Sequence, residues 1–510
     1  MCGILALLNT SYNRTKLKDA LLEMKHRGPD FQNDLVIDNV FLGHNRLSII
    51  DLQPRSNQPF TSNKYHMIYN GEIYNYKELI IEHSLKTETS SDTEVVLKMF
   101  QKFGPKCLQY FNGMFSLVIY NENNGDIFVA RDRLGIKPLY YYNIRNEWIF
   151  SSEISPVQSL VNSELDEFGL RQYRKLRMTI KGYTIYKNIK MFPPAHYWLN
   201  GKLVRYWELN VETKEPPDDD ELRSLIIDSV KLRKRSDVAI GSFLSGGLDS
   251  TILTYLLRPN DTWTVGFNEL NEFDWSDIAN SQLNSEHHKI RVNKEQFIET
   301  LKWMIHKRIE PLSVPNEVLI YLMTMEVKTK NTVILSGEGA DELFWGYDRI
   351  FRWASTTHNL DISEFDHHYC YGSNKDNEVI DFALENLPGR NVIDKIGYFF
   401  QIYHLHGLLR RVDNSTMLCS VEARVPFVDH RLVELLAGTP VEWRMGSSFK
   451  EPLKRIFTKL IPQQIIDRPK IGFPVPLEII FSETHNSGVT PMDNWLLFNL
   501  SELTNTIPLS

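Results

Sequence analysis

The sequence has few cysteines and arranges them in no structural pattern. Its 510 residues include four that are widely spaced and form no CxxC pair: Cys2, Cys107, Cys370 and Cys419. This spacing argues against a disulfide framework and against a zinc site of the usual kind. We therefore expect free thiols in a cytoplasmic protein.

Long apolar runs and an excess of basic charge are also missing. No run of about 18 apolar residues occurs, so no membrane span is predicted. The first residues lack a basic segment followed by a long apolar one, and no secretory signal is predicted. The net charge of −7 argues against nucleic acid or an anionic membrane as a partner. With 42% hydrophobic and 24% charged residues, the composition is that of an ordinary globular protein.

Residues 1–205 are rich in short β-type runs separated by turn signals such as Asn123-Asn124-Gly125. This pattern is typical of antiparallel hairpins. Helices are expected at Lys16–Lys25 and Asp92–Phe103, the second opening with acidic residues at its positive end. We predict a sheet-rich α+β domain, with strands over Val40–Leu42, Tyr65–Tyr69, Phe115–Tyr120, Ile127–Ala130 and Leu139–Tyr142.

Residues 206–221 are interpreted as a linker, because 212–221 contain two prolines and six acidic residues. Over residues 222–510, buried-type strands alternate with helical segments, which favours an α/β domain with a parallel sheet. The last third is helical by pattern, and residues 481–510 are expected to be loosely ordered. The predicted strands are Val238–Leu244, Thr262–Phe267 and Val333–Leu335, and the predicted helices Asp249–Leu257 and Asp277–Leu283.

Cys2 directly follows the initiator methionine. A small residue at this position commonly permits removal of Met1, which leaves a cysteine with a free α-amino group. An α-amine has a pKa of about 8, so it can serve as the base for its own thiol, and no histidine partner is needed. Taken alone, a cysteine at position 2 does not indicate a nucleophile.

Polar motifs that a fold alone does not require follow Cys2 in order. They are RGPD at Arg27–Asp30, RLSIID at Arg46–Asp51, NGEIYN at Asn70–Asn75 and SDTE at Ser91–Glu94. Together with the opening MCGI, they make the chain resemble the class II glutamine amidotransferases. The resemblance implies a four-layer αββα sandwich of the N-terminal-nucleophile type, with Cys2 as the catalytic nucleophile.

The same resemblance implies a role for each residue around the nucleophile. Arg46 would hold the α-carboxylate of glutamine, as suits a guanidinium fork. Glu72 and Asp92 would receive its α-ammonium. Asn70 and Gly71 would form the oxyanion hole, with one side-chain amide and one backbone N–H. The pocket would be lined by the backbone of Leu47, Ser48, Ile49 and Ile50.

A second site is indicated where the predicted strand Val238–Leu244 meets a helix. The small residues Ser245, Gly246 and Gly247 let backbone N–H groups approach a phosphate, and the helix adds its positive end. Asp249 and Ser250 follow. A carboxylate in a phosphate site suggests a bridging Mg²⁺. GxxxxGK[ST] is absent, and SGGxDS resembles the pyrophosphate loop of ATP pyrophosphatases.

Another predicted strand, Val333–Leu335, ends in a similar small-residue turn that carries three carboxylates: Glu338, Asp341 and Glu342. A third strand ends near Val265 and Gly266. Ligands bind beyond the carboxyl ends of parallel strands, so the three strand ends are expected to share one site.

The motifs of this half resemble those of the asparagine synthetases. They are LSGGLDS, TVGF, LSGEGADELFWGY, VEARVPF and FKEPLKR, and the resemblance extends to about residue 475. It implies that Asp249 and Asp341 hold Mg²⁺, that Lys450 neutralises phosphate and that Glu338 assists formation or ammonolysis of an acyl-adenylate. The adenosine of ATP would contact Leu244, Val265, Ser336 and Gly337, largely through backbone. For Arg424, Glu342 and Glu422 a role at the site and a structural ion pair both stay open.

The resemblance implies a glutamine-hydrolysing asparagine synthetase that uses glutamine, aspartate and ATP, and it leaves a homodimer open. The stretch Glu310–Glu317 departs from the Asp-Pro-Ser form common in bacterial members, and Ala6 replaces a usual glycine. One alternative is therefore the same chemistry on another small acid or on a peptide or cell-wall carboxylate. A silent glutamine or nucleotide sensor is disfavoured by the retained site residues, and a β-lactam-synthetase-like ring closer by Cys2.

Overall fold

The computed structural model describes residues 2–9, 12–446, 449–469, 472–481 and 489–506. In the N-terminal part the strands are β1 (Cys2–Leu8), β2 (Phe31–Ile37), β3 (Val40–Arg46), β4 (Phe60–Ser62), β5 (Tyr65–Ile73), β6 (Gly113–Asn121), β7 (Asp126–Arg131), β8 (Tyr140–Ile144), β9 (Glu147–Ser151), β10 (Ile189–Met191), β11 (His196–Leu199) and β12 (Lys202–Arg205). The helices are α1 (Arg14–Leu22), α2 (Tyr76–Glu82), α3 (Asp92–Phe103), α4 (Ile154–Val161) and α5 (Glu167–Leu176).

The rest of the chain is mostly helical. Its strands are β13 (Ile240–Phe243), β14 (Asp261–Phe267), β15 (Glu286–Val292), β16 (Val333–Leu335) and β17 (Glu422–Arg424). Its helices are α6 (Asp219–Arg233), α7 (Leu248–Leu257), α8 (Phe273–Asn280), α9 (Lys294–Arg308), α10 (Asn316–Val327), α11 (Ala340–Leu343), α12 (Asp348–Thr356), α13 (Ile362–Tyr369), α14 (Asn377–Leu384), α15 (Val392–Phe399), α16 (Leu405–Met417), α17 (His430–Leu436), α18 (Val441–Met445), α19 (Glu451–Phe457), α20 (Gln463–Asp467), α21 (Leu477–Ile480) and α22 (Pro491–Thr506).

Two antiparallel sheets pack face to face in the N-terminal domain. Their strand orders are β10-β8-β9-β1-β3-β2 and β12-β11-β7-β6-β5-β4, and β1 and β3 contact β5 across the interface. Helices α1 and α4 cover the first sheet, while α3, with α2 beside it, covers the second. The predicted αββα sandwich is confirmed.

The apolar run of β1 follows from its place in this sandwich. Every residue of Cys2–Leu8 is buried, because one face of the strand meets the second sheet and the other face meets the helices. A strand covered on both faces reads as a continuous apolar run and not as an alternating one. Between the two sheets lie Ile4, Ile68, Val118 and Val129, none of which is exposed.

The second domain is built on a parallel sheet of order β15-β14-β13-β16-β17. The chain moves outward from β13 in one direction through β14 and β15, and then in the other through β16 and β17. The strand order therefore reverses between β13 and β16, which is the place where open α/β sheets bind ligands. The predicted parallel sheet is confirmed, and the loops after β13 and β16 lie side by side.

Most predicted elements are present with shifted ends. The helix predicted over Asp92–Phe103 has those bounds, whereas the strand expected at Tyr65–Tyr69 extends to Ile73. The expectation that residues 481–510 are loosely ordered is wrong for 491–506, which form α22. The side chain of Trp495 in α22 is fully buried against Phe297 of α9. Residues 482–488 and 507–510 lie outside the described residues.

The two domains share a broad buried interface, much of it made by α16. Gly407 of α16 approaches the N-terminal domain so closely that a Cβ there would lie 2.4 Å from the Met178 sulfur. At the preceding residue of α16, the Nε2 of His406 lies 2.9 Å from the Nη2 of Arg131. Among the described helices, none is both long and apolar enough to cross a membrane.

Candidate active sites

Cys2 begins β1 and is held through both of its backbone polar groups. Its N–H donates to the Oδ1 of Asn70 at 3.0 Å, and its carbonyl accepts from the Nε of Arg27 at 3.1 Å. The antiparallel register places Cys2 opposite Arg46 of β3. The thiol is thus fixed at the end of two neighbouring strands, beside the motifs that the sequence analysis grouped with it.

The environment of the Cys2 thiol favours its neutral form. Burial raises the pKa of this thiol above its ordinary value, and the N–H of Leu47 and the charge of Arg46 only partly offset that effect. A neutral thiol is a weak nucleophile, so attack on an amide requires a base close by. The α-amino nitrogen of Cys2, exposed by removal of Met1, stays the predicted base.

Arg46 shapes the loop that follows β3. Its Nη1 donates to the carbonyl of Gln53 at 3.0 Å and to Oδ1 of Asn57 at 2.7 Å, while Nη2 reaches the carbonyl of Asp51 at 2.5 Å. An open cavity of about 430 Å³ borders Arg46, Leu47, Ser48 and Asn57, with a wall from the second domain at Val238, Lys328 and Thr332. Arg46, Leu47 and Ser48, predicted for glutamine, therefore lie at one pocket, and Ile49 and Ile50 continue the same loop.

Two buried carboxylates lie on the far side of Cys2. Asp92 accepts from the hydroxyl of Tyr69 and from the N–H of Ile73, both at 2.9 Å. The Oε2 of Glu72 is buried and has no hydrogen-bond partner among the described residues. Burial first, then the charges of Asp92 and Glu422, raise the pKa of Glu72 well above its ordinary value. An ammonium group would complement the negative charge of these two buried carboxylates.

Asn70 and Gly71 lie on β5, which pairs with β6. Since the Oδ1 of Asn70 is taken by the Cys2 N–H, its Nδ2 is the atom left to donate, and it lies 3.5 Å from the Ser152 hydroxyl. A Cβ at Gly71 would lie 2.2 Å from the carbonyl of Met114, so no larger residue fits there. The predicted oxyanion role of the pair stays a prediction.

The loop predicted to bind phosphate lies between β13 and α7. The hydroxyls of Ser245 and Ser250 are 3.2 Å apart, and Ser245 Oγ also accepts from the N–H of Gly247 at 3.2 Å. Gly246 has a φ of +72°, and a Cβ there would lie 2.4 Å from the backbone of Trp275. The loop is therefore bent back on itself, with its N–H groups at the start of a helix, which is the geometry of an anion site.

Lys450 brings together two carboxylates from different loops. Its Nζ lies 2.5 Å from Oδ2 of Asp249 at the start of α7 and 2.5 Å from Oδ1 of Asp341 on α11. Burial alone would lower the pKa of Lys450, but the two carboxylates raise it above its ordinary value. Two carboxylates that converge on one cation also fit the donor set that Mg²⁺ prefers.

The residues predicted for adenosine lie at the carboxyl ends of three adjacent strands. The N–H of Leu244 after β13 donates to the carbonyl of Trp263 at 2.8 Å, two residues before Val265 on β14. Ser336 follows β16, and its N–H donates to the carbonyl of Arg424 at 2.9 Å. A Cβ at Gly337 would lie 3.2 Å from the Cβ of Asp249, so the two loops touch.

Glu338 and Glu342 differ sharply in environment. Glu338 is partly exposed and accepts from Nη2 of Arg411 at 2.6 Å. Glu342 is buried, and the hydroxyl of Tyr347 donates to it at 2.5 Å. Burial and the nearby charge of Asp341 raise the pKa of Glu342 to about 8. Glu338 is thus held as an ion pair, whereas Glu342 stays protonated at neutral pH.

Arg424 lies where the two domains meet. Its Nε donates to Glu422 at 2.5 Å, and its Nη2 is 3.7 Å from Glu72 of the N-terminal domain. The carbonyls of Arg233 and Arg235 accept from its Nη1 at 2.8 and 2.6 Å. The structure therefore favours a structural ion pair between Arg424 and Glu422. This pair also contacts the N-terminal domain through Glu72.

Sequence reasoning missed the residues that link these sites. Arg411 reaches Glu338, and Arg468 donates to the carbonyl of Ser245 at 3.2 Å and pairs with Glu272. Neither stands in a motif that suggests its role. A signal was present for Arg27, which belongs to the RGPD motif and holds the Cys2 carbonyl.

Comparison with known proteins agrees with this geometry. The glutamine amidotransferase domain model matches residues 1–207, and the asparagine synthase model matches residues 221–490, more than half of the chain. Asparagine synthetase [glutamine-hydrolyzing] 1 of Bacillus subtilis is 29% identical, with 94% of this chain and 87% of that protein covered. Asparagine synthetase B [glutamine-hydrolyzing] of Escherichia coli is 26% identical, with 93% and 82% covered. Amidase chry2 of Gibberella zeae is 29% identical, with 68% and 60% covered.

The chain belongs to the asparagine synthase family and carries the family's amidotransferase domain in front of the synthase domain. The expected class, an ATP-dependent amidotransferase ligase, is confirmed at this level.

Proposed function

We propose that this chain hydrolyses glutamine at Cys2 and uses the ammonia to amidate aspartate through β-aspartyl-AMP, giving asparagine, glutamate, AMP and pyrophosphate. One observation carries the proposal: a buried set of contacts joins the two sites. Arg27, which holds the Cys2 carbonyl, pairs with Asp413 of α16. Arg411, two residues earlier in α16, holds Glu338.

In the glutaminase half, glutamine enters the cavity beside Arg46 with its α-ammonium toward Glu72 and Asp92. The Cys2 α-amine takes the thiol proton as the sulfur attacks the amide carbon. Asn70 Nδ2 and the Gly71 N–H stabilise the oxyanion. The proton then passes to the leaving nitrogen, ammonia departs and a γ-glutamyl thioester remains, which water hydrolyses to glutamate.

In the synthetase half, the Ser245–Ser250 loop and Lys450 hold the phosphates of ATP. A carboxylate oxygen of the acceptor attacks the α-phosphorus, and pyrophosphate leaves. Ammonia then attacks the acyl carbon, an oxyanion forms, and AMP departs. Glu338 accepts the proton that the nitrogen loses. When bound, Mg²⁺ held by Asp249 and Asp341 would neutralise pyrophosphate charge.

Ammonia is expected to pass between the sites inside the protein, because in water it is rapidly protonated and no longer nucleophilic. The contacts of Arg424 with Glu72 on one side and with Glu422 on the other support this proposal, since they run from the N-terminal domain to the edge strand of the parallel sheet. An ammonia trap in solution should therefore leave amide formation from glutamine largely intact.

The proposal is tested by incubating the protein with glutamine, ATP and Mg²⁺ and offering a panel of acids. Amide products and AMP are measured by mass spectrometry. Asparagine from aspartate supports the assignment, and no amide from aspartate would overturn it. The Cys2→Ala variant should lose glutamine use but retain synthesis from added ammonia, and loss of both would contradict the division of labour between the halves.

A second candidate keeps this chemistry and changes the acceptor to another small acid. The observation in its favour is Glu317, in the stretch that departs from the bacterial form. Its carboxylate is buried, pairs with Arg308 at 3.0 Å and accepts the N–H of Ser313 at 2.5 Å. The same panel decides between the candidates.

A further inference from the structure

A small buried cavity lies behind Glu338, where the two domains meet. Its walls come from α16, from the segment 308–317 and from residues 173–185 of the N-terminal domain. The cavity measures about 30 Å³. That volume suits a small polar group or one or two waters, and it is too small for a continuing polymer chain.

The cavity wall is strongly cationic. Four arginines face two glutamates along it: Arg177, Arg308, Arg410 and Arg411 against Glu310 and Glu317. Arg410 pairs with Glu310 at 2.9 Å and Arg308 with Glu317 at 3.0 Å, while Arg411 turns its Nη2 to Glu338 outside the lining. Among the described contacts, Arg177 is therefore the one wall arginine without a carboxylate partner, and its guanidinium lies 5.4 and 4.5 Å from the ring centroids of Tyr369 and Tyr371.

Several N–H groups of the wall residues are also left without a partner. The Nε of Arg177, Arg410 and Arg411 and the Nδ2 of Asn414 are buried, and none has a hydrogen-bond partner among the described residues. Arg411 and Asn414 are themselves more than nine-tenths buried, with exposures of 9% and 7%. A buried donor left unpaired is costly, so such a concentration in one wall indicates a ligand rich in acceptor oxygens.

The wall is built to hold its shape. The hydroxyl of Tyr173 donates to the carbonyl of Leu312 at 2.9 Å, and the N–H of Leu312 donates to the Asn499 side chain of α22 at 2.9 Å. Both contacts are buried. The segment that departs from the bacterial form is thus fixed from the N-terminal domain on one side and from the C-terminal helix on the other.

We propose that this cavity binds the second carboxylate of the acceptor, the one that is not activated, and that the glutaminase domain supplies part of it through Arg177. The inference rests on the proposed function and narrows the acceptor to a free small dicarboxylic acid. Arg411 fixes the distance between Glu338 and the cavity, because its Nη2 contacts Glu338 and the residue also lines the cavity. A peptide or cell-wall acceptor continues as a polymer chain, for which a space of about 30 Å³ has no room.

The test uses ammonia as the nitrogen source, so that Cys2 chemistry is not needed. In Arg177→Met the KM for the acid should rise by about tenfold or more, as expected for the loss of a charge-assisted hydrogen bond. The KM for ATP and the rate of glutamine hydrolysis should stay within about twofold. Arg171→Met is the matched control, because Arg171 of the same helix region pairs with Asp376 and Glu378 away from the cavity.

A second comparison controls for variants that fail to fold. Because Arg410→Met would leave Glu310 buried without its partner, the double variant Arg410→Met/Glu310→Gln is compared with Glu310→Gln. The double variant should show the higher KM for the acid. An unchanged KM in both Arg177→Met and this pair would overturn the proposal, as would an equal rise in the KM for ATP.

Failure of the proposed function is distinguished by a binding measurement that needs no turnover. Calorimetry with L-aspartate should show binding to the wild type that weakens in Arg177→Met. Aspartic acid α-amide, which retains the β-carboxylate and lacks the other, should bind at least about tenfold more weakly than aspartate. If aspartate is not amidated but a dicarboxylate still binds with this dependence, the cavity assignment stands and the reaction assignment fails. Equal binding of aspartate and its α-amide contradicts the cavity assignment.

Discussion

Arg27 of the glutaminase domain and Asp413 of the synthetase domain form a buried ion pair, with Nη2 and Oδ2 2.8 Å apart. Neither side chain is more than 3% exposed. Lys137 binds the other oxygen of Asp413 at 3.0 Å, and Arg27 also holds Glu153 and the Cys2 carbonyl. One carboxylate of α16 thus anchors the strand end that carries the nucleophile.

Removing the charge of Asp413 should affect both stability and coupling. Asp413→Asn leaves Arg27 and Lys137 buried without their shared partner, so the free energy of unfolding should fall by about 3–5 kcal/mol. Glutamine-dependent synthesis should fall more than ammonia-dependent synthesis, because only the former needs Cys2 in place. The free energy of unfolding is measured by urea titration, and the two rates of synthesis are measured with glutamine and with ammonia as the nitrogen source. The exposed Asp348→Asn is the control, and equal losses in both rates would contradict the assignment.

Lys450 should be needed for ATP use and not for glutamine hydrolysis. In Lys450→Met the carboxylates of Asp249 and Asp341 lose their shared cation and repel the phosphates. We expect the rate of acid-dependent AMP formation to fall by about 100-fold or more. The control Lys459→Met, at an exposed lysine just after α19, should retain the wild-type rate within about twofold. A Lys450→Met enzyme that makes AMP normally would remove this residue from the site.

The raised pKa of Glu342 predicts a pH dependence of stability. Folded Glu342 keeps its proton to a pH of about 8, whereas the group ordinarily releases it near 4.5. The folded state therefore holds one more proton between these values, and the free energy of unfolding falls as pH rises through that window, by up to about 1.4 kcal/mol per pH unit from this group. Glu342→Gln should flatten this slope in urea titrations at pH 5.5 and 7.5, relative to the exposed Glu364→Gln. An identical slope in Glu342→Gln and wild type would show that Glu342 is ionised at neutral pH.

Gly246 should not tolerate a side chain. Gly246→Ala places a Cβ 2.4 Å from the backbone of Trp275 at a φ of +72°. The loop must move, and ATP binding should weaken by about tenfold or more, with a loss of about 1–3 kcal/mol in stability. Gly125→Ala, at a φ of +76° with open space around it, separates the cost of the backbone angle from that of the clash. Equal effects at the two glycines would mean that the approach to Trp275 does not matter.

Much of the architecture was predictable because the governing patterns are local. Strand and turn signals in residues 1–205 and strand–helix alternation after residue 222 each depend on near neighbours in sequence. Gly246 also follows from a local need, since its φ of +72° favours glycine. The confirmed sandwich and parallel sheet rest on these patterns.

The residues that connect the two halves were not predictable in the same way. Arg411 acts through Glu338, which lies 73 residues away in sequence, and Asp413 through Arg27, which lies 386 away. Such partners are set by the packing of α16 against both domains, and nothing in the sequence near Arg411 or Asp413 indicates them. The order of α22 was missed for a related reason. The final thirty residues are rich in Ser, Thr and Asn, whereas α22 is held by distant contacts, with Trp495 and Leu503 buried and Asn499 bonded to Leu312.

The coupling of Cys2 to the synthetase half is tested most directly with glutamine labelled with ¹⁵N in its amide. The protein is given this glutamine, aspartate, ATP and Mg²⁺ in the presence of an excess of unlabelled ammonium at a pH where little of it is free ammonia. The nitrogen isotope in the product is then read by mass spectrometry. If ammonia passes inside the protein, the asparagine carries predominantly ¹⁵N in its amide. Asparagine with the isotope ratio of the bulk solution, or no asparagine at all, would contradict it.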